Sequence, residues 1–235
     1  MKLPRKLSTL SLLLKGTVIV CALLGTWLSA ASGRGSFMGG SRVFMFFTIQ
    51  SNILMVAVCL AGAVRLLRGR PVFVWQRAVE FTAAVSITLT GVVFAFVLAP
   101  TLGTHAWNVQ NILTHVAVPS AAVLDFFVTA PAVHLPRRSV FLAVIPPLMY
   151  AVYAGIGYAR GWEFVRGARY PYFFLNWGSP AGAFGFTKGL PFMGTGWWIL
   201  AISVFLLGIG RLYLAIAEKI ERTIQSSMDP IQEAT

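Results

Sequence analysis

Charge is what this chain has least of: 11% of its residues are Asp, Glu, Lys or Arg, and only seven carry a side-chain carboxylate. Soluble domains carry roughly 25% charged residues, so a surface that water tolerates cannot be assembled from this composition. Cysteine is scarcer still. Cys21 and Cys59 are the only two, each inside an apolar run at a different helix depth, so buried free thiols are expected and a disulfide framework is not. The three histidines, His105, His115 and His134, are separated, and no cysteine or carboxylate cluster stands at ligand spacing. No metal, haem or other cofactor is therefore expected. Credible strands are missing, and with them any glycine-rich nucleotide loop that would follow one. No internal repeat is visible, which gives an inverted-repeat transporter no support.

What is present is apolar sequence, 57% of the chain. It is gathered into runs of about twenty residues, the length at which a helix crosses a ~30 Å hydrocarbon core. The runs lie at 10–31, 43–66, 79–100, 107–131, 139–159 and 195–217. The expected fold is all-α: a polytopic membrane protein, one six-transmembrane-helix bundle over residues 1–235, with an aromatic-rich outer loop between helices 5 and 6.

The formal net charge of +12 sits in the joints between apolar runs and forms no basic stripe with interleaved aromatics, so nucleic acid is not an expected partner. Thirteen Lys and Arg, from Lys2 and Lys15 through Arg65, Arg77 and Arg137 to Arg222, fall on one side of the six spans; six, including Arg34, Arg42 and Arg160, fall on the other. Positive charge accumulates inside, which gives a multi-pass protein of the cell membrane with both termini cytoplasmic. Trp27, Trp107, Trp197 and Trp198 fall near outer ends and Trp75 near an inner one, as interfacial anchors do. The basic start, the apolar stretch 18–28 and the small residues Ser29, Ala30 and Ala31 also fit a cleavable signal peptide, and that alternative stays open.

Residues 160–194 form a connection far longer than the usual two to eight between helices. It is rich in glycine and carries Trp162, Tyr172, Phe174, Trp177, Phe184 and Phe192 among its aromatics. Two forms fit it: an aromatic cap in the outer interface or folded back between helices, where protein must satisfy its backbone, and an ordinary interfacial loop.

Polar side chains inside spanning helices cost free energy and are functional candidates by default. The second span opens with FFTIQSN, which places Thr48, Gln50, Ser51 and Asn52 in its outer part; the fourth holds Asn108, Gln110, Asn111, Thr114, His115 and Asp125. At 1.5 Å per residue, Thr48 lies ~8 Å and His115 ~12 Å below the starts of their helices. Both helices descend from the same side, so the two residues lie at comparable depth. Thr48 and Asn52 share one helical face, as do Asn108, Asn111 and His115. Pro119 cannot donate to the His115 carbonyl and should kink the helix, leaving an extra acceptor beside the imidazole.

A hydroxyl beside a neutral imidazole in a water-poor pocket is the minimal pair for acyl transfer. Asn52, Asn111 or the backbone could hold the oxyanion. The same residues also fit a purely structural role, with Thr48 bonding its own helix and the asparagines joining helices. Asp125 is ~15 Å further along the helix than His115 and turned off its face, so it is expected to meet an arginine at the inner boundary, Arg77 or Arg137, with Glu80 doing likewise. His105 and His134 are expected in solvated connections at opposite faces.

The FFTIQSN start of the second span, the LTHVAVP segment of the fourth and YPYFFLN in the last loop resemble a family of bacterial six-helix membrane proteins. These are distantly similar to the androgen-induced protein and the androgen-dependent regulator of tissue factor pathway inhibitor. The resemblance implies an integral membrane hydrolase of fatty acid esters of hydroxy fatty acids, with a Thr nucleophile on Thr48 and a His on His115. Ser51, one turn on, is a second hydroxyl of the same helix. The expected partners are membrane lipids and a lipid-like ester substrate; nothing in the sequence sets an oligomeric state. The alternative functions are a non-catalytic lipid or small-solute binder or transporter, using the same pocket for a head group, and a structural accessory protein.

Overall fold

The structure, a computed structural model, describes residues 3–32 and 40–232. Lys2 and Arg34, counted in the charge asymmetry, lie outside the described residues. Among the described residues six helices are long and apolar enough to cross a membrane: α1 (Arg5–Ser32), α2 (Phe47–Leu67), α3 (Val74–Trp107), α4 (Val109–Ala132), α5 (Arg137–Ala159) and α6 (Thr195–Ile224). Among the described residues there is no strand, only the isolated bridges Val165 to Ala168 and Phe186 to Met193. The chain is an all-α, multi-pass membrane protein.

The bundle is built around α3 and α4, half of whose apolar windows are buried, against about a fifth for α1 and α6. α1 packs on α2 and α4, α2 on α3, and α3 on α4. Small residues set the closeness of these crossings, as they do where lipid gives helices no hydrophobic drive to associate. A Cβ added to Gly25 of α1 would meet Thr114 Cγ2 at 2.6 Å, and one added to Gly91 of α3 would meet the His115 carbonyl oxygen at 2.8 Å. Large apolar side chains such as Leu13, Trp27, Phe96, Val152 and Val204 face outward, the arrangement expected where the solvent is hydrocarbon.

Two helices contain π turns, at Phe94–Leu98 in α3 and Leu113–Ala117 in α4. Each is followed by one residue and then a proline, Pro100 and Pro119. The widened turn directs the N–H of Ala99 to the Phe94 carbonyl and that of Val118 to the Leu113 carbonyl, just before a residue with no N–H to give. The distortion expected at Pro119 thus takes the form of a π turn. The freed carbonyls do not open on the imidazole: Thr114 O accepts from Asn52 Nδ2 (3.3 Å), and His115 O faces Gly91.

The 160–194 segment folds onto the bundle through its first half and stands exposed in its second. Phe164, Phe174 and Leu175 are buried against Phe46, Tyr150 and Ala154, while Phe184, Phe186 and Phe192 are exposed. Trp197 and Trp198 at the start of α6 donate to Phe184 O and Pro191 O, tying the exposed half back (2.8 and 2.9 Å).

At the opposite end, one expectation is corrected. Asp125 pairs with Lys15 of α1, not with an arginine, and accepts from Ser11 Oγ at 2.5 Å. α1 packs directly on α4, so the long Lys15 stem reaches across. Arg77 is occupied by Glu80 (3.1 Å), Thr129 Oγ1 (2.7 Å) and Phe126 O (2.7 Å), as expected for Glu80; Arg137 faces Glu218 at 3.6 Å. Lys15 is therefore a buried ion-pair member and not a joint charge. His105 and His134 are exposed, with His134 Nδ1 2.8 Å from Glu221.

Candidate active site

α2 begins without a capping side chain: Phe46 stands at the N-cap in extended geometry, although Ser, Thr, Asp and Asn are the usual choices there. The first-turn amides are thereby left for partners from elsewhere in the chain. Tyr172, from the 160–194 loop, fills this role; its hydroxyl oxygen accepts from the Thr48 N–H at 3.4 Å. The turn before α2, Gly40–Met45, is held by Tyr150, whose hydroxyl donates to Met45 O at 2.9 Å.

One residue into this helix, Thr48 is buried and turns its hydroxyl to His115 rather than to its own backbone, with Oγ1 3.3 Å from Nε2. The two residues matched in depth along their helices thus meet in space. His115 sits at the centre of the α4 π turn. Its Nδ1 is 3.1 Å from Asn111 O and 3.0 Å from Thr114 Oγ1. Thr114 spends its proton on Gln110 O (2.8 Å) and a carbonyl can only accept, so Nδ1 must carry the hydrogen. Nε2 is left with its lone pair aimed at the Thr48 hydroxyl.

One face of the imidazole is covered by an aromatic ring. Phe94, the first residue of the α3 π turn, stacks on it at 3.9 Å between centroids and 22° between planes, and Trp107 packs edge-on against Phe94 at 5.3 Å. Among the described residues no carboxylate touches His115, so the arrangement is a hydroxyl–imidazole pair oriented by a backbone carbonyl. A carbonyl in that place fixes the tautomer and ring angle without adding a buried charge.

The remaining expected site residues are near but differently engaged. Ser51 Oγ lies 3.0 Å from Thr48 O and 2.8 Å from Thr90 Oγ1, on the α3 side of the helix. Asn52, fully buried, donates through Nδ2 to Thr48 O (2.8 Å) and Thr114 O (3.3 Å), while its Oδ1 is buried without a partner. Asn111 Nδ2 donates to Ala106 O at 2.8 Å. Gln50 is exposed and donates to Phe44 O at 3.1 Å, so it is outside the site. Asn52 thus serves as a helix tie with both amide hydrogens on backbone carbonyls, and Asn111 gives one of its two to Ala106 O.

Beside Thr48 lies a narrow, largely apolar cavity of about 60 Å³, well below the ~300–1,000 Å³ of preformed small-molecule pockets, so a substrate chain has to part its walls. Leu89, Val93, Leu98, Leu148, Phe174 and Ile202 are among its walls, and Thr48, Thr90 and Tyr172 are its polar points. Its outer wall runs between α5 and α6, where Pro147 and Leu148 face Ile199 and Ser203. α6 packs closely on the first turns of α5, Arg137–Val144, but makes little contact with the helical run Ile145–Ala159.

Sequence reading missed Phe94 and Tyr172. FAFVLAP and LTHVAVP each place a proline six residues after the first residue of a π turn, but Phe94 opens its turn whereas His115 lies at the centre of its own, so the stacking of the two rings is not written in that spacing. No family model, curated protein or solved structure matches the chain.

Proposed function

We propose that the protein is an intramembrane hydrolase of lipid-like esters, with fatty acid esters of hydroxy fatty acids, the class implied by the sequence resemblance, as the first substrates to test. The observation that carries this reading is the 3.3 Å approach of Thr48 Oγ1 to His115 Nε2, with Nδ1 pinned by Asn111 O. His115 takes the Thr48 proton as the oxygen attacks the ester carbonyl. The tetrahedral intermediate collapses, the alcohol leaves with the proton from His115, and an acyl ester remains on Thr48. Water activated by the same imidazole then releases the acid.

The apolar lining of the narrow cavity adjoining Thr48 supports an acyl-chain substrate over a polar one, and the sparse contact of α6 with Ile145–Ala159 is where the walls would part to admit such a chain from the bilayer. The charge asymmetry supports a cell-membrane protein with both chain ends on the cytoplasmic side; a reporter active only in the cytoplasm, fused after Thr235, is expected to be active.

Purified protein in detergent or nanodiscs is to be tested for hydrolysis of long-chain esters and for fluorophosphonate labelling mapped to Thr48. Wild type should turn over and label; Thr48→Ala and His115→Ala should do neither. Activity and labelling unchanged in both variants would refute the assignment, and co-purified lipid without turnover would make the cavity a binding site instead.

A further inference from the structure

An oxyanion needs a donor with an uncommitted hydrogen inside the cavity, and neither asparagine nearest the pair meets both conditions: Asn52 has no hydrogen free, and Asn111 keeps one but does not line the cavity. Asn52 gives its amide hydrogens to Thr48 O and Thr114 O, and the atom it leaves unpartnered, Oδ1, is an acceptor that would repel negative charge. Asn111 Nδ2 is directed to Ala106 O. Ser51 is turned to Thr48 O and Thr90. On the cavity side of Thr48 stands Tyr172, and the geometry points to it as the group that holds the oxyanion: its phenolic O–H donates to the ester carbonyl oxygen as Thr48 attacks. This inference rests on the Thr48–His115 reading and adds a third catalytic residue to it.

Three observations converge. The Tyr172 oxygen lies beside Thr48, accepts its backbone N–H at 3.4 Å and lines the cavity in which the substrate carbonyl must lie. The Tyr172 hydroxyl lies within hydrogen-bond reach of the Tyr150 and Thr48 hydroxyls, and among the described residues no carbonyl or carboxylate accepts from it, so a turn of its O–H bond, with no heavy atom moved, gives the hydrogen to an oxyanion. The ring is held rigidly: Phe174 stacks on it at 5.1 Å with planes 5° apart, and Phe46 meets its edge at 5.7 Å. Burial pushes the Tyr172 phenol above its ordinary pKa, so it stays protonated and a donor at neutral pH. Preorganised donors of this kind require no heavy-atom rearrangement as charge develops.

The protons balance with Tyr172 keeping its own. The bond from Thr48 Oγ1 to the carbonyl carbon forms as the carbonyl π pair moves onto oxygen and the Thr48 proton moves to His115 Nε2. On collapse the pair returns, the bond to the leaving alkoxide breaks, and His115 protonates the alcohol. Tyr172 shares its hydrogen with the oxyanion throughout and is not a source of protons.

The test is Tyr172→Phe in the full chain, assayed with a long-chain p-nitrophenyl ester beside the fluorophosphonate probe. The expected result is a fall in kcat of about 100-fold, KM within about threefold, slowed probe labelling and an unchanged pH profile, because the His115 base is intact. Tyr213→Phe, which removes a hydroxyl bonded to Thr88 Oγ1 outside this cavity, should leave kcat within about threefold and controls for the loss of a buried tyrosine hydroxyl. A Tyr172→Phe protein with wild-type kcat, or one whose loss lies wholly in KM, overturns the inference while the Thr48–His115 pair stands. A wild type that neither turns over nor labels overturns both.

Discussion

The ring of Phe94 lies face to face with the imidazole of His115, 3.9 Å between centroids, and both residues belong to π turns on adjacent helices. The imidazole is thereby fixed in plane by Phe94 and in rotation by Asn111 O. Phe94→Leu keeps the site apolar while removing about 1 kcal/mol of ring stacking. We expect probe labelling of Thr48 to slow about fivefold with little change in KM, measured as a second-order labelling rate beside steady-state kinetics.

Two hydroxyls sit one turn apart on α2, but only one faces the base. Ser51 is bonded to Thr48 O and Thr90, so Ser51→Ala should lose about 1 kcal/mol of stability and keep labelling and turnover. Thr48→Ser retains the hydroxyl and should stay active, whereas Thr48→Ala should not. Mass-spectrometric mapping of the labelled residue in each variant checks the assignment; label on Ser51 in the wild type would reverse it.

Lys15 and Asp125 are both buried, and each would be left as an uncompensated charge if the other were removed. Lys15→Met alone is expected to destabilise the fold by about 3–5 kcal/mol. The double variant Lys15→Met with Asp125→Leu should recover most of that loss, because it removes both charges from the low-dielectric interior. Thermal unfolding in a fixed detergent reads the difference; equal loss in the single and double variants would mean that the pair is not what holds α1 to α4.

Leu148 stands half-exposed at the parting of α5 from α6, on the wall of the cavity beside Thr48. Leu148→Trp should fill the passage. Turnover of a long-chain ester should then fall at least about tenfold, on the scale of 1–3 kcal/mol for overpacking, while a short-chain ester is affected less. Comparison of kcat/KM for the two substrates is the measurement, and an equal effect on both would place the route elsewhere.

Much of the architecture was legible because lipid imposes a length on helices: six apolar runs became six helices, although α3 runs on through π and 3-10 turns to Trp107 and α6 continues as α-helix to Ile224. The meeting of Thr48 with His115 was legible for a related reason. Helical rise converts position in the chain into depth, and two helices descending from the same face can be compared directly. What stayed hidden had partners that sequence does not display. Asn52 and Asn111 look like free amides until the backbone carbonyls that occupy them are placed. Tyr172 and Phe94 are aromatic residues among many aromatics, and Lys15 resembles a joint charge until α1 is seen packed on α4. Its partner is 110 positions away.

The π turn of α4 carries one residue more than an α turn needs. The wide turn absorbs that residue, so the α run Val118–Val128 keeps its phase; a residue deleted between Pro119 and Asp125 would instead rotate Asp125 by about 100° off Lys15 while leaving the imidazole against Thr48. Two partnerships thus share a single rod, a polar contact near one end and an ion pair near the other. The stretch between them can tolerate changes of side chain at the outward-facing Ser120 or Leu124, but not a change in its length.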